Sequence, residues 1–540
     1  ERVGRHDQFF ELGGHSLLVV TLIERLRQQS LHTDIRTIFA NPILSAIARA
    51  LADNDHAASV QVVPPNLITP TDTAITPDML PLVSLSQTDI DQIIAHVPQG
   101  ISNIQDIYPL APLQEGILFH HLLETEGDTY LLRSVLAFDH RARLDVFLSA
   151  LQSVIDRHDI LRTSIHWMSL SQPVQVVLRR APLLIEELTL LADGDAQAQL
   201  NALTDPRHLR LDLQQAPLLK AYIAADPHSQ EWYLALLNHH LVCDHVTLEF
   251  VVTEVQTILR GKEHQLPPAL PYRNFIAQVL SVPVSEHEAY FKQQLGDIEE
   301  PTAPFGIFDV QGNGSEVQEA RLPLSDELSQ RIRHSARQQG VTPAVLFHVA
   351  WAQVLAQCCN QDDIVFGTVL SGRLQGSEGA DQVLGMFINT LPIRIHFAQQ
   401  TAQQLVADIY ERLGTLVVYE QASLALAQRC SSVAAPLPLF TSMLNYRHSA
   451  AGTSDTTEAR GNVWEGVRIL HGEERTNYPL TLSVDDLGQG FTFTTQCVTG
   501  IDAERMNTYL LTAIEGLVHA LLEQSVEPVR RLSVLPAAER

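Results

Sequence analysis

The chain has 540 residues, 45% of them hydrophobic, and a formal net charge of −26. That length suits about three or four domain-sized units with sizeable cores, and the acidic balance argues against a nucleic acid or an anionic membrane as partner. No run approaches the roughly eighteen apolar residues that a membrane span needs, and Glu1-Arg2-Val3-Gly4-Arg5 lacks a signal-peptide core and reads as the middle of a longer chain. Five scattered cysteines (Cys243, Cys358, Cys359, Cys430, Cys497) show no CxxC spacing. Reduced thiols in a cytoplasmic protein are expected, not disulfides or structural zinc.

In chain order, Phe9-Phe10-Glu11-Leu12-Gly13-Gly14-His15-Ser16 predicts a loop opening into a helix, along which Leu18, Leu22 and Leu26 recur at helical spacing. Ser16 stands where that helix begins. From its position alone it reads as an ordinary N-cap. Asn41-Pro42 predicts the cap and first residue of a further helix, with Ile43, Ile47 and Leu51 as its apolar stripe. The stretch Asp7 to Leu17 resembles the thiolation motif DxFFxLGGHSL of peptidyl carrier proteins. The resemblance implies a small all-α helical-bundle carrier over residues 1–53, its first helix truncated. It also implies that a phosphopantetheinyl transferase attaches 4′-phosphopantetheine to Ser16. Beyond it, Pro64, Pro65, Pro70, Pro77 and Pro81 predict an extended linker over residues 54–84.

The run Trp232-Tyr233-Leu234-Ala235-Leu236-Leu237 predicts a buried strand, and Asn238-His239-His240-Leu241-Val242-Cys243-Asp244-His245 follows it directly. Two histidines and an aspartate therefore emerge together at a strand end. A neutral imidazole there can act as a general base, since its pKa lies near working pH.

This stretch resembles the HHxxxDG signature of condensation domains in nonribosomal peptide synthetases, within the chloramphenicol acetyltransferase-like superfamily. It departs in carrying His245 where the family has Gly. The other motifs appear in order. Ile107 to Ile117 resembles the first condensation motif with Ala111 for Ser, and Arg157-His158-Asp159-Ile160-Leu161-Arg162-Thr163 matches RHExLRT with Asp for Glu. Pro271-Tyr272-Arg273-Asn274-Phe275 resembles YxDF, Gly367 to Arg373 resembles a strand latching one lobe to the other, and Gly385 to Arg394 fits GxFVNTxxxR. Tyr419-Glu420-Gln421 and Phe440 to Tyr446 extend the match, and Leu532 to Pro536 resembles the start of a linker to an adenylation domain.

The resemblance implies an α/β (α+β) fold of two acetyltransferase-like lobes in a V, over residues 85–270 and 271–530, with 531–540 beginning the linker. It makes His240 catalytic in a tunnel, with His239 and Asp244 beside it, Arg157 or Arg394 as support for Asp244, and His245 and Asn389 on the tunnel wall. His120-His121-Leu122-Leu123-Glu124-Thr125-Glu126-Gly127-Asp128 matches HH(I/L)xxxxGD, the second histidine motif of dual epimerisation/condensation domains. His120 and His121 would then assist inversion of the donor residue from L to D. The donor would ride on the chain's own carrier, a downstream carrier would bring the acceptor, and adenylation domains would adjoin. The wording is similar to bacterial cyclic-lipopeptide synthetases.

Three alternatives stay open. One is ordinary L-to-L condensation. Another is a metallohydrolase using His239, His240, Cys243, Asp244 and His245, although no HExxH spacing exists and no metal is expected. The third is a silent scaffold that only docks carriers, which His245 encourages.

Overall fold

In a computed structural model of the chain, the structure describes residues 3–10, 41–53, 63–310, 317–373, 382–448, 465–473 and 475–540, with scattered positions between 12 and 38. The first lobe carries β1 (Ile104–Pro109), β2 (Leu131–Phe138), β3 (Thr163–His166), β4 (Val174–Leu178), β5 (Leu184–Leu188), β6 (Leu219–Ala225) and β7 (Trp232–His239). The second carries β8 (Val317–Pro323), β9 (Asp363–Leu370), β10 (Asn389–His396), β11 (Ser442–His448), β12 (Val467–Glu473), β13 (Leu480–Asp486) and β14 (Phe491–Val498). They assemble into sheets of order β1-β4-β3, β12-β2-β7-β6-β5 and β10-β9-β11-β13-β14-β8.

β7 lies in the middle of the five-stranded sheet, antiparallel to β2 on one side and β6 on the other. Both its faces are covered, which is why its sequence is continuously apolar and does not alternate. Leu234 and Leu237 are fully buried, each contributing about 1.5–3 kcal/mol by leaving water. The second lobe is built around the helix Pro343–Cys359, whose Leu346, Phe347, Ala350, Trp351 and Leu355 are fully buried against the six-stranded sheet and the helix Ala503–Leu522. Among the described residues no single helix is long and apolar enough to cross a membrane.

Two expectations change, the latching strand and the lobe boundary. The strand that crosses between lobes is β12, which adds itself to the edge of the first lobe's β2, while β9 lies between β10 and β11 inside the second lobe. The lobe boundary falls near Pro283 and not at 270/271: Tyr272, Phe275 and Ile276 pack in the first core together with Val383, Leu384, Met386 and Phe387, whereas Phe291 and Leu295 join the second. The described part of the expected linker packs against the first lobe. Ile68, Ile75, Leu80 and Val83 are buried against Ile90, Ile93, Ile104 and Val176, and Arg273 donates to the Pro64 carbonyl at 2.9 Å. The tail packs on the second lobe, with Val534 buried and Gln353 donating to the Leu532 carbonyl at 2.8 Å.

Of the carrier, the helix Leu44–Asp53 is described. It starts two residues after Pro42, because the Pro42 carbonyl accepts from the Phe9 N–H at 2.7 Å and Ile43 bridges to Gln8. The carrier rests on the second lobe: the Phe10 ring meets Tyr410 edge-on at 6.0 Å, and Gln8 donates to the Gly340 carbonyl at 2.8 Å. Ser16 lies outside the described residues.

Candidate active site

A cavity of about 720 Å³ runs between the lobes. Leu113, Phe119, Val345, Leu413, Val417 and Met443 give it apolar walls, and Tyr410, against which the carrier's Phe10 rests, belongs to its lining. His120, His240, His245 and Asn389 line it, whereas His121, His239, Asp244, Arg157 and Arg394 do not.

The reason is local geometry. Successive strand residues face opposite sides, so His239, the last residue of β7, is fully buried, and His240 just beyond it turns to the cavity. Adjacent residues on a helix diverge by roughly 100°. At the end of the helix Pro112–Leu123, His121 therefore points inward while His120 faces the cavity. The His240 Nδ1–H donates to the Cys243 carbonyl at 3.1 Å, which puts the ring's basic lone pair on Nε2. His120 accepts at Nε2 from the Asn477 amide at 3.3 Å, and burial lowers its pKa, favouring the neutral ring.

The two histidine motifs meet at Asp128. Its Oδ2 accepts from His121 Nδ1–H at 2.6 Å and from His239 Nε2–H at 3.0 Å, and its Oδ1 accepts from the Tyr130 N–H at 2.9 Å. Burial opposes ionisation of Asp128, but the His239 and His121 rings outweigh it and hold the carboxyl well below the usual carboxylate range. The preceding Gly127 sits at φ +70°, where a Cβ would lie 2.2 Å from the Arg207 carbonyl oxygen, so the turn requires glycine.

Asp244 caps the helix His245–Leu259, accepting from the Thr247 N–H at 2.7 Å and from the Phe387 N–H at 3.2 Å. Its ion-pair partner is Arg373, at 3.3 Å, with both side chains buried. The expected pairing with Arg157 or Arg394 is thus corrected. Arg157 binds Glu254 at 3.0 Å, and Arg394 binds Asp363 and Asp297, both at 2.6 Å. Both arginines sit on other helix and strand faces. Arg373 reaches Asp244 because Gly372 turns at φ +65°, where a Cβ would lie 1.7 Å from the Phe387 carbonyl oxygen.

His121, His239 and Asp244 therefore support the site from behind. Asn389 faces the cavity, yet its amide donates to the carbonyls of Glu420 and Ala422 at 2.8 and 2.7 Å, a structural task. His245 takes the first position of its helix, half-exposed, with Nε2 3.5 Å from Glu249. Its φ is not positive, so the backbone there does not demand glycine. Because the ring occupies cavity lining, His245→Gly should raise turnover with bulky acceptors more than with glycine as acceptor. An unchanged ratio of the two rates would mean that the ring stands clear of the acceptor path.

Sequence reasoning missed three contributors. Asp128 and Arg373 were legible only as motif residues. Gln114, fully buried, donates to the Leu241 carbonyl at 2.7 Å and so fixes the loop after His240; its signal was its place in the first motif.

The side chains of the metallohydrolase alternative do not converge. His239 turns to Asp128, His240 to the Cys243 carbonyl, Asp244 to Arg373 and His245 toward Glu249. Burial pushes the Cys243 thiol up, away from the thiolate that metals bind. Among the described residues, His121, Asp128 and His239 do place three ligand-type atoms within 4.8 Å. They are already joined directly through one shared carboxylate oxygen.

Comparison with known proteins fits this geometry. The condensation-domain family profile matches residues 104–540, and the phosphopantetheine attachment site profile matches residues 1–51. The carrier thus bears covalently attached 4′-phosphopantetheine. The chain is 47% identical to malpibaldin synthetase of Mortierella alpina over its whole length, and 30% identical to a linear gramicidin synthase of Brevibacillus parabrevis over 86% of it. It spans only 10% and 9% of those relatives. The higher identity is to a fungal protein, at odds with the expected likeness to bacterial synthetases. A four-domain nonribosomal peptide synthetase, solved bound to AMP and glycine, superposes with TM-score 0.66 at 15% identity, over 80% of this chain and 34% of that one. The fold is the two-lobed, chloramphenicol acetyltransferase-like one. With its carrier ahead of it, the chain belongs to the condensation-domain family.

Proposed function

We propose that the chain forms a peptide bond in nonribosomal synthesis, after inverting the terminal residue of its donor from L to D. The donor is an aminoacyl or peptidyl thioester on Ser16, loaded after a phosphopantetheinyl transferase has modified that serine. The acceptor is an L-aminoacyl group on a downstream carrier, and adenylation domains of the longer synthetase supply both amino acids. When bound, the pantetheine supplies a thioester, activated toward an amine and acidified at its α-carbon.

The observation that carries this reading is His240, its Nε2 lone pair set in a cavity whose lining includes the carrier's contact Tyr410. The acceptor amine attacks the thioester carbon, the C–N bond forms and the C–S bond breaks. The proton taken at Nε2 returns to the departing thiolate sulfur. Inversion needs a proton removed from one face of the α-carbon and restored on the other. His240 takes the α-proton at Nε2 from one face, and His120, on a different element lining the same cavity, returns a proton to the other face after first taking one from solvent; loss of the His240 proton to solvent then resets the pair.

Loading Ser16 with an L-configured donor tests the reading. Deuterium should wash into the donor α-position and the product should carry a D-residue. His120→Ala should depress wash-in at least about tenfold more than it depresses joining of a pre-formed D-donor, given that a positioned acid or base is worth about 10²–10⁴. Efficient joining of the L-donor without inversion sinks the epimerase half. It leaves ordinary L-to-L condensation, a reading favoured by the burial of His121 away from the cavity.

A further inference from the structure

We infer that Asp128 is the positioning residue for His240: one buried carboxylate fixes the backbone on both sides of the reacting imidazole. This rests on the proposed role of His240. Two short chains of hydrogen bonds lead from Asp128 to that residue. Along the first, Asp128 Oδ1 accepts from the Tyr130 N–H at 2.9 Å, and the Tyr130 carbonyl accepts from the His240 N–H at 2.9 Å. Along the second, Asp128 Oδ2 accepts from His239 Nε2–H at 3.0 Å, and His239 Nδ1 accepts from the Leu241 N–H at 3.1 Å. The peptide groups before and after the His240 side chain are therefore both referred to a single group.

The second chain works only in one tautomer. Leu241 needs Nδ1 bare, so the ring proton must sit on Nε2, and only an acceptor opposite Nε2 enforces that. Asp128 is that acceptor. His121 donates to the same oxygen at 2.6 Å and fixes the carboxylate in turn, while Arg210 holds the His121 carbonyl at 2.5 Å. The Tyr130 ring, carried on the first chain, packs edge-on against His240 at 6.3 Å and tilts over His120 at 5.9 Å. The second histidine motif is thus divided by function. His121 and Asp128 form a clamp that reaches across the sheet to His239, and His120 is the member that faces the cavity.

The test uses the whole chain, with Ser16 carrying a D-configured dipeptidyl pantetheine and a glycyl-loaded downstream carrier as acceptor. Asp128→Asn keeps the size but cannot accept from both imidazoles with one oxygen and from Tyr130 with the other. Its kcat should fall about 100-fold, the loss expected of a misplaced catalytic group, with the acceptor KM changing less than about threefold. In the His240→Ala background the same substitution should lower the residual rate less than about twofold, because a residue acting through His240 has nothing left to position. A merely structural carboxylate predicts equal losses in both backgrounds, and that result overturns the inference. If Asp128→Asn does not fold, His121→Gln removes a single donor; a loss of about tenfold that vanishes without His240 supports the clamp, and an additive loss overturns it. Should His240→Ala itself keep the parent rate, the proposed reaction falls and the clamp with it; additive losses remove the clamp alone.

Discussion

An Asp244→Ala chain should unfold with about 3–5 kcal/mol less stability than its parent, the loss typical of stranding one member of a buried ion pair. Arg373 is 2% exposed and Asp244 is fully buried, so neither water nor salt can compensate the guanidinium once the carboxylate has gone. The same substitution removes the N-cap of the helix His245–Leu259, a contribution of about 1 kcal/mol by itself. Arg373 keeps its bonds to the Val383 carbonyl and Thr247 Oγ1 and packs 3.9 Å over the Phe387 ring, which places the loss inside the range and not above it. Asp244→Asn retains an acceptor for the Thr247 N–H and should lose less. Chemical denaturation of the three chains measures both. Equal midpoints for Ala and parent would mean that Asp244 and Arg373 do not hold the lobes at this seam.

His240→Ala should lower the rate of condensation by about 10²–10⁴, the span assigned to a positioned general acid or base. Loading of pantetheine on Ser16 should be untouched, because that serine lies on a separate domain. The size of the loss carries information of its own. In the proposed reaction, carrier-bound donor and acceptor thioesters would bring their own proximity effect, and this would remain without the imidazole. A loss under tenfold would therefore assign the rate to delivery and remove His240 as proton acceptor. Single-turnover formation of the peptide, followed by mass spectrometry with both carriers preloaded, separates this step from loading.

Where the sequence was informative, local chemistry made it so. A continuous apolar strand ending in paired histidines marked the strand end at which His240 turns to the cavity, because burial of β7 and the alternation of side chains are both short-range properties. What the linear order hid were contacts between distant residues. Asp128 and His239 stand 111 positions apart, and Arg373 and Asp244 stand 129 apart. Charge type alone cannot choose Arg373 over Arg157 or Arg394, since each arginine has a good partner elsewhere. The packing of the expected linker was hidden for another reason. Its prolines favour extended backbone apart from the single 3-10 turn Pro77–Met79, but extended chain can still bury Ile68 and Ile75, and composition does not reveal which surface receives them. The crossing of β12 was equally hidden, because an edge strand looks the same whichever sheet it joins.

That crossing bears on how such a chain can be cut and recombined. A construction that severs it near Pro283, treating the two lobes as interchangeable parts, would leave β2 with a bare edge along the whole register from Arg133 to Phe138 that β12 now covers. Unpaired strand edges recruit other chains, and the first core would also lose Val383 to Phe387, which come from beyond the cut. Hybrid synthetases should therefore keep the two lobes, with the packed residues 63–84, as one inseparable block, and place their junctions outside it.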